Sequence, residues 1–383
     1  MRVAIFSEVY WPMVSGVGVT LARLSDALRA RDHAVRVYTA RYPIPDDSAD
    51  RPEVHRSRSM PLPLYPDVHW AFPSVRAILE DAARFRPDIV HVTTEVTMGL
   101  AGLKVARRLG VPAVASAHTD YQKYAERYNV PWAMGAGWVY LRWFYGQTER
   151  VLCPSHFYQQ VLESRGIGHT GIWTRGADLQ RFNPQFWSEE YRRRLGVGPD
   201  DLLVSFIGRL AKEKDLELLM EVWQDLAGVR GTAQLALVGR GPMEETIRAR
   251  RLPGVHVLGL MQGDDLSTAY ASADIFAFPS PTETFGNSLM EAMASGLPCI
   301  AADVGGVLEF ARHEENALLA RAGDRSSLRA CLLRLLQDAG LRRRLREGAL
   351  HTASERHWDE IYDGLVDNYR RVAGSWREPR RAA

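Results

Sequence analysis

Glu283 and Glu291 bracket the segment Thr284-Phe285-Gly286-Asn287-Ser288-Leu289-Met290. The apolar run 274–279 ahead of them reads as a buried strand. Leu289-Met290-Glu291-Ala292-Met293-Ala294, stopped by Gly296 and Pro298, reads as a helix. A glycine-containing strand-to-helix turn leaves the first backbone N–H groups of the helix facing whatever binds there, and a helix N-terminus favours phosphate. A carboxylate beside it accepts hydrogen bonds from sugar hydroxyls. Phosphate next to vicinal hydroxyls is the chemistry of a nucleotide sugar.

Other residues of the same kind fall at strand ends, where open parallel sheets bind ligands. Strand 3–7 leads into Ser15-Gly16-Val17-Gly18, directly before a helix. Gly16 permits close approach to phosphate, although the spacing lacks the third glycine of a dinucleotide fingerprint and a plain turn is an equal reading. His118, followed by Thr119 and Asp120, ends the run 111–117, where it can bond a sugar hydroxyl or act on a proton. The alternative is a histidine satisfied by a neighbouring loop. The stretch Phe206-Ile207-Gly208-Arg209-Leu210-Ala211-Lys212-Glu213-Lys214 repeats the strand-loop-helix logic in the second half. Arg209 offers a bidentate fork and Lys214 a point charge for a diphosphate, neutralising the charge that develops on a leaving phosphate. Lys212, beside Glu213, reads as a solvated charge. Glu291 sits among Leu289, Met290, Ala292 and Met293, where an unpaired carboxylate is costly.

The elements that must position these residues alternate regularly. Strand-like runs fall at 3–7, 34–39, 88–93, 111–117 and 150–154, then at 202–207, 234–238, 255–259, 274–279 and 298–302. Helical patterns lie between them, such as 17–31 with Val17, Leu21, Leu24 and Leu28 on one face. Apolar strands separated by helices predict parallel sheets covered on both sides, an α/β fold. The polar stretch 178–201 divides the series. The expectation is two Rossmann-like, doubly wound domains, 1–177 and 178–357, with 178–201 as the connector. In the terminal segment 358–383, the stripe Trp358, Ile361, Leu365 and Tyr369 is expected to pack back on the first domain.

Composition narrows the class. The 383 residues suffice for two sizeable cores, and hydrophobic 46% with charged 25% is ordinary for globular chains. A formal charge of +2 is too small to imply nucleic-acid binding from bulk electrostatics, and none is expected. Cys153, Cys299 and Cys331 have no metal-ligand spacing and read as buried thiols in a reducing compartment. Arg2-Val3-Ala4-Ile5-Phe6 reads as a strand rather than a signal peptide, and no apolar run reaches the roughly 20 residues of a spanning helix. The expectation is a cytoplasmic protein, with any membrane contact peripheral and at the inner face of the cell membrane.

Taken together, these residues resemble the family-4 retaining glycosyltransferases of the GT-B fold. The resemblance covers nearly the whole chain through the Gly16 loop, His118, Gly208-Arg209-Leu210 with Glu213-Lys214, and the Glu-x7-Glu motif with its internal Phe285-Gly286. It implies two facing domains, the first binding acceptor and the second the nucleotide sugar. Arg209 and Lys214 would bind the donor diphosphate, Glu291 the ribose and Glu283 the transferred sugar, with Gly208 and the amides of Phe285, Gly286, Asn287 and Ser288 assisting. Gly16 would lie near the phosphate and His118 near the C6 hydroxyl, so His118, Arg209, Lys214 and Glu283 carry the catalytic roles.

The stretches around His118-Thr119-Asp120 with Tyr124 and Tyr128, and Trp173-Thr174-Arg175-Gly176-Ala177-Asp178, look most like the bacterial lipid-modifying branch. That branch includes GDP-mannose mannosyltransferases and diacylglycerol-linked sugar transferases. The chain departs from the family in having Asn287-Ser288 where hydrophobic residues are common. No Asp-x-Asp motif occurs, consistent with basic residues doing a metal's work, and no cofactor beyond the nucleotide-sugar substrate is expected.

No carboxylate is clearly placed as a covalent nucleophile, so front-face transfer with retention is the expected mechanism. Asp120 and Tyr124 are the acceptor candidates. Trp132, Trp138, Tyr140, Leu141, Trp143, Phe144 and Tyr145, with Arg142 and the basic residues Lys104, Arg107 and Arg108, suit either a core helix or a contact with anionic lipid. The competing functions on the same scaffold are a UDP-sugar 2-epimerase and a non-catalytic sugar-nucleotide binder.

Overall fold

A computed structural model describes residues 1–13, 15–43, 51–62, 65–123, 132 and 134–376, with backbone alone for 65–68. The described residues form two compact units. The first draws on Met1–Thr119, Trp132–Thr174 and Asp359–Ala383, and the second on Asp120–Pro131 and Arg175–Trp358.

Runs of Val, Ile, Leu and Phe bounded by Gly, Pro and Asp become strands buried on both faces, as parallel pairing between helices requires. In the first unit the strands are β1 (Arg2–Ser7), β2 (Ala34–Ala40), β3 (Val54–Ser57), β4 (Ser59–Leu62), β5 (Tyr65–Ala71), β6 (Ile89–Val92), β7 (Ala113–Ser116), β8 (Arg150–Cys153) and β9 (Thr170–Ile172), of which β1, β6 and β7 are the most fully buried. A seven-stranded sheet has the order β3-β2-β1-β6-β7-β8-β9, while β4 and β5 form a separate antiparallel pair. In the second unit, β10 (Leu203–Ile207), β11 (Gln234–Val238), β12 (Val255–Gly259), β13 (Ile275–Phe278), β14 (Cys299–Ala302) and β15 (Ala317–Ala320) form a six-stranded sheet. Its order is β12-β11-β10-β13-β14-β15, with every pairing parallel. The expected pair of doubly wound α/β sheets is therefore the fold.

Strand order reverses between β1 and β6 in one sheet and between β10 and β13 in the other. Connections diverge to opposite sides there, opening a crevice outside the carboxyl ends of the strands. All ten expected strands occur, with ends within two residues of those expected. The edge strands β3, β9 and β15 and the β4–β5 pair were not anticipated. Val-His-Arg-Ser and Thr-Gly-Ile carry no local strand pattern and are strands only because a neighbour offers its hydrogen-bonding edge.

The stretch expected as a connector is folded into the second unit. It contains the helix Glu189–Arg194, whose buried Arg192 donates to Asp274 Oδ2 at 2.7 Å, the Ser272 carbonyl at 2.9 Å and the Asp201 carbonyl at 2.7 Å. The helix Trp358–Ser375 packs within the first unit. It buries Tyr362, Leu365, Val366, Tyr369 and Val372, and Tyr369 Oη lies 2.7 Å from His91 Nδ1 on β6. Trp358 and Ile361, expected on the buried stripe, are half-buried at its edge. All three cysteines are buried free thiols, and burial pushes each thiol pKa up, Cys153 to about 12. Among the described residues, no helix is long and apolar enough to cross a membrane.

Candidate functional site

The crevice of the second unit is flanked by the loops that leave β10 and β13. From β10 the chain turns through Gly208 and Arg209 to the 3-10 turn Lys212–Lys214. From β13 it runs through Ser280 and Glu283 to the helix Asn287–Ala294. Thr282 Oγ1 donates to the Glu213 carbonyl at 3.2 Å, fastening one loop to the other. Lys214 Nζ donates to Glu283 Oε1 at 2.5 Å, and Ser280 Oγ donates to the same oxygen at 2.7 Å. The side chains of Lys214 and Glu283 are only 15% and 14% exposed. A charge-assisted bond so far out of water fixes both groups in one geometry.

The turn itself requires glycine. Gly286 has φ 103, and a Cβ there would come within 2.8 Å of Val307 Cγ1. Its left-handed backbone aims the N-terminus of the helix Asn287–Ala294 at the crevice. The Gly306 amide donates to the Glu283 carbonyl at 2.7 Å, and Phe285 packs on Phe310 with ring centroids 5.0 Å apart. One turn further on, Glu291 Oε2 accepts from Tyr270 Oη at 2.9 Å. Tyr270 is fully buried against Phe182 and Phe276, and burial first, then the Glu291 charge, drives its phenol pKa well up. The phenol therefore stays protonated and donates, steering the carboxylate.

Gly208 lies beside this helix start, with its Cβ direction 3.9 Å from Ser288 Oγ. A Cβ on Gly239, at the end of β11, would collide with the Gly208 carbonyl, and Leu210 N donates to the Arg240 carbonyl at 2.9 Å. Gly239-Arg240-Gly241 thus braces the Arg209 turn from behind. Sequence reasoning passed over this pair of glycines, although their place at a strand end was the available signal. It also missed Tyr270 and Ser280, which carry no signal beyond ordinary helix and loop residues. Gly208, Arg209, Lys214, Glu283, Phe285, Gly286, Asn287, Ser288 and Glu291 all lie in these neighbouring loops and the adjoining helix of one unit, and Lys212 is exposed.

The first unit holds Gly16 and His118. Gly16 is exposed and opens the helix Gly16–Ala30, capped by Ser15 Oγ accepting from Gly18 N at 3.0 Å. His118 Nε2 lies 2.8 Å from Ser116 Oγ, and the ring meets Trp173 edge-on at 5.8 Å. The histidine is thus held both by Ser116 of its own strand and by Trp173, which follows β9. Asp120, grouped with the second unit, is buried and its Oδ1 accepts from Lys123 N at 3.1 Å. Tyr124 and Tyr128 lie outside the described residues.

Two buried carboxylates at the switch point of the first sheet were not foreseen. Glu8, after β1, accepts from Met98 N at 2.5 Å and Thr97 Oγ1 at 3.0 Å, and from Thr94 Oγ1. It supplies the N-terminal cap of the helix Thr97–Leu109 that Val96 cannot. Burial nevertheless raises its pKa, against the hydrogen bonds that lower it. Glu95, after β6, accepts from Tyr145 Oη at 2.5 Å. Tyr145 belongs to the aromatic helix Met134–Tyr145, which divides by face. Trp138, Leu141, Phe144 and Tyr145 are buried, whereas Val139, Tyr140, Arg142 and Trp143 face outward and Trp132 is 82% exposed.

A family model described as Glycosyltransferase Family 4 matches residues 14–181, and one described as Glycosyl transferases group 1 matches residues 201–338. The chain is 35% identical over 380 residues to a GDP-mannose-dependent alpha-mannosyltransferase of Mycolicibacterium smegmatis, covering 98% of each. It is 33% identical over 367 residues to the sulfoquinovosyl transferase SQD2 of Arabidopsis thaliana, covering 93% of this chain and 71% of that one. Among solved structures, sucrose-phosphate synthase of Thermosynechococcus elongatus superposes with a TM-score of 0.81 at 20% identity, covering 98% of this chain and 99% of that one. Matched in both halves and along nearly its whole length, and built of two doubly wound sheets, the chain belongs to the family-4 glycosyltransferases of the GT-B fold.

Proposed function

We propose that this enzyme transfers a hexose from a nucleotide sugar, GDP-mannose or a UDP-hexose, to a hydroxyl of a glycolipid or diacylglycerol-type acceptor, retaining the anomeric configuration and using no metal. The observation that carries the reading is the Lys214–Glu283 pair at 2.5 Å. It supports the reading because it brings a cation and a carboxylate together on loops from the two strands that flank the crevice.

In this reading Arg209 and Lys214 take up the negative charge that grows as the bond between anomeric carbon and phosphate oxygen breaks. The acceptor oxygen bonds to that carbon from the same face, and its proton passes to the departing phosphate oxygen. Glu283 holds hydroxyls of the sugar, Glu291 holds the ribose, and the helix start at Asn287 and Ser288 faces phosphate. His118 is proposed for the C6 hydroxyl, Gly16 for the phosphate and Asp120 for the acceptor. The names of relatives support the substrate classes: one is GDP-mannose-dependent, and another, in Streptococcus pneumoniae, is an alpha-monoglucosyldiacylglycerol synthase.

The outward face of the helix Met134–Tyr145, with exposed Lys104, Arg107 and Arg108 on the helix Thr97–Leu109, supports peripheral binding to an anionic membrane from the cytoplasmic side. Thermal-shift measurements against UDP-, GDP- and ADP-sugars, followed by product analysis with lipid and soluble acceptors, test the proposal. A retained-configuration glycolipid made in the presence of chelator is the expected product. Epimerised nucleotide sugar formed without acceptor would replace transfer with isomerisation.

A further inference from the structure

Two of the passages of the chain between its units lie at Thr174–Arg175 and Trp358–Asp359. Beside these passages the two segments are paired. Ala177 N donates to the Arg356 carbonyl at 3.0 Å, and Ala177 and His357 form a parallel bridge. From this strap, itself part of the second unit, the Arg356 side chain reaches Phe285 and Phe310 of the same unit. Its guanidinium carbon lies 6.0 Å from the Phe285 ring centroid and 5.6 Å from that of Phe310, and its Nη2 donates to the Glu309 carbonyl at 3.1 Å. Phe285 immediately precedes the left-handed Gly286, and Glu309 ends the 3-10 turn Gly306–Glu309 whose first amide holds the Glu283 carbonyl.

From this geometry we infer that Arg356 is a positioning residue for the donor turn, tying Phe285, and through it Glu283 and Gly286, to the paired segments through which the chain passes between its units. This rests on the reading of residues 283–291 as the nucleotide-sugar site. A cation over an aromatic face is attracted by the ring quadrupole, and here the same guanidinium also caps the end of a short helix. Arg356 touches no part of the donor in this reading. It restricts the rotation of the Phe285 ring, and so the backbone on either side of it.

The test is a double-mutant cycle on donor affinity, using Arg356→Met, Phe285→Leu and the pair, with Arg356→Lys as the conservative variant. Nucleotide binding and transfer by the unaltered enzyme are measured first, and failure there rejects the donor-site reading itself. With that established, Arg356→Met is expected to weaken donor binding about ten-fold at temperatures where the protein remains folded. Arg356→Lys should restore part of the loss, and the double variant should be no weaker than Phe285→Leu alone. Additive losses, or unchanged donor affinity in Arg356→Met, overturn the assignment. Should Arg356→Met fail to fold, Arg356→Lys takes its place in the cycle, and additive losses or unchanged affinity there overturn the assignment equally.

Discussion

Tyr270 Oη donates to Glu291 Oε2 at 2.9 Å from a fully buried position. The carboxylate proposed to hold the ribose is therefore aimed by a phenol that cannot ionise near neutral pH, because burial and the carboxylate itself both raise its pKa. Tyr270→Phe is expected to weaken nucleotide binding by about ten-fold, the effect of losing roughly 1.5 kcal/mol in a hydrogen bond to a charged group. Glu291→Ala should weaken it further. Calorimetric titration with the preferred nucleotide checks both; unchanged affinity in Glu291→Ala removes that residue from the site.

Arg209 and Lys214 should separate from Glu291 in kinetics. Replacing either by alanine or methionine removes charge needed most as the diphosphate leaves, so kcat is expected to fall by about 100-fold or more. Lys214→Met also deprives Glu283 of its partner at 2.5 Å and leaves the bond from Ser280. A rise in KM with unchanged kcat would show that these cations bind donor and transition state alike.

Glu8 predicts a pH dependence in the first unit. Its folded-state pKa is raised, so the folded state holds the proton more tightly than the unfolded chain. The stability this contributes is present below the unfolded value of 4.5 and is lost as pH rises through the folded value. The melting temperature of the wild type relative to Glu8→Gln is thus expected to decline as pH rises above about 4.5. A difference that grows with pH would mean that the bonds from Met98, Thr97 and Thr94 outweigh burial.

Trp132 and Trp143 test the membrane reading. Both are exposed, at 82% and 54%, next to a helix whose other face is core. Wild-type protein should float with liposomes containing anionic lipid and less with neutral ones. Trp132→Ser with Trp143→Ser should lower that binding several-fold with little change in melting temperature. Absence of flotation on either liposome rejects peripheral binding.

Periodicity alone carried a great deal. Alternating apolar runs and helical stripes announced two doubly wound sheets, because a strand buried on both faces needs several consecutive apolar residues wherever it lies. That Glu283, Gly286, Glu291, Arg209 and Lys214 gather in neighbouring loops and the adjoining helix was legible for a related reason. Strand ends and helix starts can be read locally, and parallel sheets gather ligands at those ends.

Partnership was not legible. Tyr270 belongs to Glu291, Ser280 and Lys214 to Glu283, Gly239 to Gly208 and Arg356 to Phe285, and each pair joins segments that no local pattern connects except Ser280 and Glu283. The same holds for Glu8, which caps a helix 90 residues away in sequence, and for the aromatic stretch, whose division between core and surface depends on what packs against it. Hydrogen bonds and close packing are satisfied in space rather than along the chain. Residue types and local order specified which groups could do the chemistry, and only the tertiary structure decided which neighbours hold them to it.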